Sequence, residues 1–178
     1  PQPVSKKKNY SIFTGQQCVR ITGIEAELRY DYAALLSFNV NLTYQNAVNT
    51  TRFSGTQSNV PEATYLNKIP NQPWLFGNAG FGIGKNDWLG KNTRLQFNWY
   101  TQYVHWFYLT WEAFGSANGK SNIPDQLVHN ATLTYSLRDG RYNISAECRN
   151  ITDGPAFDNF RLQKPGRAFS MKFRYFLH

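Results

Sequence analysis

Charge is what this chain is short of. Acidic and basic residues together occupy 17% of its 178 positions, against about a quarter in an average soluble domain. Lys6 to Lys8 is the one basic run, so the net charge of +8 is spread singly, without the stripe or recognition helix that nucleic-acid binding needs. Cysteine is scarce too. Cys18 and Cys148 stand alone, with no second Cys or His at metal-ligand spacing, which argues against a disulfide scaffold or a zinc site. An apolar run of about 18 residues is missing, which excludes a transmembrane helix but not a transmembrane β-barrel, whose strands need only about 9 to 11 alternating residues.

What is abundant is aromatic: Phe, Trp and Tyr make up 16% of the chain, with Asn and Thr in place of the usual Ala, Leu and Glu, a balance that favours strands. The side chains alternate with period two, not 3.6. Ile24, Ala26, Leu28 and Tyr30 oppose Glu25, Glu27, Arg29 and Asp31. Leu36, Phe38, Val40, Leu42 and Tyr44 oppose Ser37, Asn39, Asn41, Thr43 and Gln45. The same beat runs through Leu75, Ala79, Phe81 and Ile83; Leu95, Phe97, Trp99 and Tyr103; Ala131, Leu133, Tyr135 and Leu137; and Tyr142, Ile144, Ala146 and Cys148. It ends with Phe169, Met171, Phe173, Tyr175 and Leu177 against Ser170, Lys172 and Arg174. About seven strands and no helix are expected.

The connections alternate as well. Asp31 to Leu35, Lys85 to Asn92 and the Asp139-Gly140 hairpin signal are short, whereas Ala47 to Gln72, Tyr108 to Gln126 and Asp153 to Pro165 are long. Neighbouring strands therefore run antiparallel, up and down, with every long loop at one end. A soluble sandwich shows the same two-faced strands, and a soluble all-β module, carbohydrate-binding in character, is the alternative. Three features favour a membrane barrel. The alternation persists for about nine to twelve residues, the length that crosses hydrocarbon. The loop asymmetry is that of outer-membrane barrels. Tyr30, Tyr44, Tyr103, Tyr135 and Tyr175 lie towards strand ends on the apolar face, as an interfacial aromatic belt requires.

Asn150-Ile151-Thr152-Asp153, then Pro165-Gly166-Arg167 and the aromatic strand from Phe169, resemble the C-terminal end of TonB-dependent outer-membrane receptors. Gly23-Ile24-Glu25 with the following turn and strand, and Ile69 to Gly82, fit the same family. The resemblance implies a barrel of about 22 strands with a plugged lumen, residing in the cell outer membrane and importing a scarce solute such as an iron chelate, haem, cobalamin, glycan or peptide. It implies as partners the outer-membrane lipid, the remaining barrel and plug, TonB acting through a region upstream, and the barrel-assembly machinery, and it implies no cofactor. On this reading residues 1–16 are the end of a preceding strand or an external loop, and 17–178 are the C-terminal barrel segment, without the plug or the earlier strands. The long loops are extracellular. His178 after Leu177 departs from the terminal Phe of many such barrels.

Candidate sites follow from position. Trp106, Tyr108, Trp111 and Phe114, at an outer strand end and the loop beyond, form either a stacking surface for a sugar or chelate or the outer aromatic girdle. His105 and His129 fall near the outer ends of adjacent strands with outward parity, which suits interface residues rather than a metal site. Glu25, Glu27, Arg29, Glu147, Arg149, Lys172 and Arg174 are expected to face the lumen as a polar wall, with no nucleophile motif beside them and no catalysis expected. Phe169, Met171, Phe173, Tyr175 and Leu177 form the closing and assembly strand. The sequons at Asn9, Asn41, Asn49, Asn130, Asn143 and Asn150 read as a by-product of Asn and Thr content.

Overall fold

The computed structural model describes residues 10–14, 17–33, 35–53, 60–115, 121–158 and 161–177, with side chains from Cys18 onward; His178 lies outside them. The chain forms β1 (Tyr10–Thr14), β2 (Gln17–Tyr32), β3 (Leu36–Asn49), β4 (Leu75–Asn86), β5 (Thr93–Val104), β6 (Phe107–Tyr108), β7 (Asn122–Ile123), β8 (Gln126–Leu137), β9 (Tyr142–Arg149) and β10 (Ala168–Tyr175). Among the described residues one 3₁₀ turn is present, over Glu112–Phe114.

One open antiparallel sheet has the order β1-β2-β3-β4-β5-β8-β9-β10, and β6 pairs with β7 in a separate small hairpin. All seven expected strands are present, in sequence order. The eighth, β1, pairs through Tyr10↔Ile21 to Thr14↔Gln17 and falls in the region read as a strand end or loop.

Direct partners across an antiparallel ladder share a face, so the register tests the alternation strand by strand. Leu28 pairs with Val40, Val40 with Ala79, Phe81 with Trp99, Trp99 with Ala131, Leu133 with Ala146 and Ala146 with Met171. The apolar residues of β2 to β10 form one continuous face. That face is uncovered: Leu28 is 52% exposed, Leu42 47%, Ile83 54% and Met171 80%. No second sheet lies on it among the described residues. β3 has 14 residues, about 46 Å at the usual rise per residue.

The short turns behave as their residues require. The chain reverses between β8 and β9 at Asp139 and Gly140, with φ of 56° and 87°, and the Arg141 N–H donates to Arg138 O at 3.2 Å. Arg138 before them also has a positive φ, 50°, so the reversal is a four-residue loop between Leu137 and Tyr142 with three left-handed residues, longer than the two-residue I′ turn that Asp-Gly signals.

The buried side chains lie elsewhere. Ala47, Val48, Asn49, Thr51, Thr64, Phe107, Ile123, Gln126, Asn150 and Ala156 all belong to strand ends or loops at the long-loop end. Two expected boundaries shift there, and a third shifts at the short-turn end. β3 runs on to Asn49 instead of entering a loop at Ala47, because Asn49 is a hydrogen-bonding hub: its Nδ2 donates to Thr64 Oγ1 at 2.8 Å, its Oδ1 accepts from Thr51 N–H at 2.9 Å, and its backbone exchanges bonds with Asn67 and Leu66. β5 stops at Val104, so His105 lies beyond the strand. Inside the expected loop, Phe107 pairs with Ile123; at 1% and 0% exposure they form a small core that alternation does not reveal. β10 ends at Tyr175, so Leu177 lies past the closing strand, 86% exposed.

Candidate functional site

The seven charged residues expected on the polar face all lie there by register, since Glu27 pairs with Asn41, Glu147 with Ser170 and Lys172 with Ser145. They are not one cluster. Glu25, Glu27 and Arg29 stand on β2, where the Arg29 Nε lies 2.7 Å from Asp31 Oδ2. Glu147, Arg149, Lys172 and Arg174 stand at the opposite side of the sheet on β9 and β10. There Arg149 donates to both carboxylate oxygens of Glu147 at 2.8 and 3.2 Å, and Ser170 adds a third bond at 3.2 Å.

Between the charged flanks Arg94 is the one charged side chain on the polar face of β3, β4, β5 and β8, and the rest is neutral. Tyr100 Oη donates to Asn78 Oδ1 at 2.6 Å, Asn78 Nδ2 to Asn41 Oδ1 at 3.2 Å, and Gln96 Nε2 to Asn98 Oδ1 at 3.2 Å. Carboxamides and hydroxyls that satisfy one another along and across strands hydrate the face with little fixed charge.

Of the four outer-end aromatics, the structure gathers two. Trp106 and Tyr108 pack with Trp74, at ring centroid distances of 4.2 Å for Trp74–Trp106, 5.3 Å for Trp106–Tyr108 and 5.9 Å for Trp74–Tyr108. Lys68 Nζ sits 3.6 Å from the Trp74 ring centroid, a cation–π contact. Burial holds the Lys68 ammonium below its ordinary value, with Glu112 pulling it back up. Burial, and then a hydrogen bond with Glu112, raises the Tyr108 phenol. Trp111 precedes the 3₁₀ turn outside this cluster, and Phe114 is 66% exposed. Trp74 is the member that pattern reading missed. Its signal was topological, because it directly precedes β4 and so shares the long-loop end with Trp106.

The histidines do not meet. His105 Nδ1 lies 2.8 Å from both Tyr103 Oη and Asp125 Oδ1, whereas His129 Nδ1 lies 2.9 Å from Thr101 Oγ1. Cys18 and Cys148 are free thiols, and among the described residues no group of three His, Cys, Asp or Glu side chains is placed to hold a metal.

The two terminal motifs form a clamp across the mouth of the last loop. Asn150 and Asp153 adopt φ of 48° and 54°, and the Asp153 N–H donates to Asn150 O at 2.9 Å, closing a turn. Asp153 Oδ1 then accepts from the Arg167 N–H at 2.7 Å. A Cβ on Gly166 would lie 2.6 Å from that same oxygen, so any other residue there must displace the Asp153 carboxylate. Asn150 accepts no glycan in this position, being 4% exposed, and neither does Asn49 at 0%. Beyond the clamp, Phe169, Met171, Phe173 and Tyr175 line the apolar face of β10, with Tyr175 stacked on Tyr142 at 5.0 Å.

Comparison with protein-family models finds no match for this chain, and comparison with curated proteins finds none either.

Proposed function

We propose that this chain is the C-terminal wall of a TonB-dependent receptor barrel in the outer membrane, serving energised uptake of a scarce solute. One observation carries the reading. The sheet has a continuous apolar face, about half exposed at Leu28, Leu42 and Ile83, whereas contiguous exposed apolar patches on soluble monomers rarely exceed a few hundred Å². Lipid covers such a face without a second protein layer, and the polar face then lines the lumen. Leu36 to Tyr44, the apolar run of β3, is about nine residues, the span of a tilted strand in hydrocarbon.

The remaining roles follow from closure. An open edge in hydrocarbon leaves backbone groups unpaired, so β1 and β10 meet other barrel strands. The plug occupies the lumen, TonB acts through the plug region, and β10 carries the assembly signal. The long loops, with the Trp74 cluster, face outward.

Nitroxide labels at successive positions from Leu36 to Tyr44, with the protein in lipid vesicles, test this. Even positions are expected to relax with oxygen and odd positions with an aqueous nickel chelate. Equal access to the nickel chelate at both parities would refute the membrane reading. For the transport role, uptake by cells carrying the complete polypeptide is expected to vanish when the energy-coupling complex is deleted; unchanged uptake would refute it.

A further inference from the structure

On the polar face, where β4, β5 and β8 reach the long-loop end, the carboxamides give way to an apolar floor. Phe76 pairs with Val104 and Val128 with Gln102, beside the buried Phe107. The last loop folds over this floor, because the Phe157 N–H donates to Gln126 Oε1 at 2.7 Å and the Lys164 N–H to Ala156 O at 2.7 Å. Between loop and floor lies a cavity of about 460 Å³, the size of a small-molecule site.

Its chemistry is one-sided. The charged residues lining it are Arg149 and Lys164, with no carboxylate among the lining residues. Arg149 already holds Glu147, so Lys164 is the principal cation. Asn150 also lines the cavity and is 4% exposed. Its Nδ2 donates to Gly154 O at 2.8 Å, which fixes the amide, and its Oδ1 is left buried without a hydrogen-bond partner. A buried acceptor left unpaired is costly, and a ligand whose O–H or N–H displaces the atoms now covering it removes that cost.

We infer that this cavity binds an amphipathic organic anion: an apolar body on Phe76, Val104 and Val128, a carboxylate at Lys164 and Arg149, and a donor on Asn150 Oδ1. The cavity lies on the face opposite the apolar one, so the inference stands or falls independently of what covers that face.

The test titrates the full chain in amphipol with 6-hydroxy-2-naphthoate, 2-naphthoate and 6-hydroxy-2-naphthamide, read by saturation-transfer NMR. The hydroxynaphthoate is expected to bind tightest. Loss of either the charge or the hydroxyl weakens binding about three- to fivefold. Lys164→Gln, on an exposed loop, is expected to erase the difference between the acid and its amide. Val128→Trp, filling the floor, is expected to abolish binding of all three with the β-sheet circular dichroism retained. Equal binding of the three probes overturns the inference, as does unchanged binding in Val128→Trp, which is partition into amphipol alone. If Val128→Trp does not fold, Lys164→Gln decides: an acid–amide difference that survives it overturns the inference.

Discussion

The middle of the sheet and its long-loop end are built on opposite principles. Through the middle of β3 and β4 the backbone is paired with a strand on each side, yet Leu42 and Ile83 remain about half exposed. At the long-loop end Phe107, Ile123 and Asn49 are at or below 1% exposure within a few residues of irregular chain. The strands are held by hydrogen bonds and leave their apolar face uncovered. The loop end carries its own core. Backbone pairing and hydrophobic burial, which usually coincide in a soluble domain, are separated here.

Breaking the loop core gives the largest expected effect. Phe107→Ala is expected to cost about 3–5 kcal/mol of loop-end stability, read as lost hydrogen-exchange protection at Asn71 and Leu109, whose amides donate to Tyr108 O and Ser121 O. The amides of β2 and β3 are expected to stay protected. The next largest tests the sheet's middle: Leu42→Arg is expected to cost about 2–4 kcal/mol of folding into lipid vesicles, whereas Asn39→Arg, exposed on the polar face of the same strand, stays within about 0.5 kcal/mol. Equal losses at the two positions would remove the distinction between the faces.

Smaller effects sharpen the contrast. Gly166→Ala is expected to cost about 1–2 kcal/mol by forcing Asp153 off the Arg167 N–H, and in an Asp153→Ala background that cost shrinks. Denaturant titrations of the single and double variants read this directly. The smallest is electrostatic. Because burial lowers the Lys68 value in the folded state, the unfolded chain binds more protons just below 10.5, and stability rises with pH from the lowered value up to 10.5. Tyr108 is raised, so the folded chain holds its proton longer and stability falls as pH climbs above 10.0. Melts followed by tryptophan fluorescence from pH 9 to 11 are expected to show that rise and fall, and Lys68→Met to remove the rise alone.

Alternation was enough to find all seven long strands and the face of each residue, because a period of two is a property of consecutive residues and needs no knowledge of neighbours. The seven charged residues and the closing-strand aromatics from Phe169 to Tyr175 were legible for the same reason. The Asp139-Gly140 reversal was legible because its backbone signs exclude most other residues. Leu177 lies two residues past the end of β10, since where pairing stops depends on the partner strand and not on the pattern.

Tertiary structure alone decided the rest. That Asn49 organises one loop, that Phe107 and Ile123 form a core, that Trp74 joins Trp106 while Trp111 does not, and that Asn150, with its unpaired oxygen, lines a cavity with Lys164 are facts about residues about 14 to 32 positions apart. Loop residues carry no periodicity, and their partners come from chain reversals whose lengths and hydrogen bonds the local sequence leaves undetermined. The amino-acid order by itself determined a two-faced antiparallel sheet; only the folded loops determined where that sheet has a core and where it has a site.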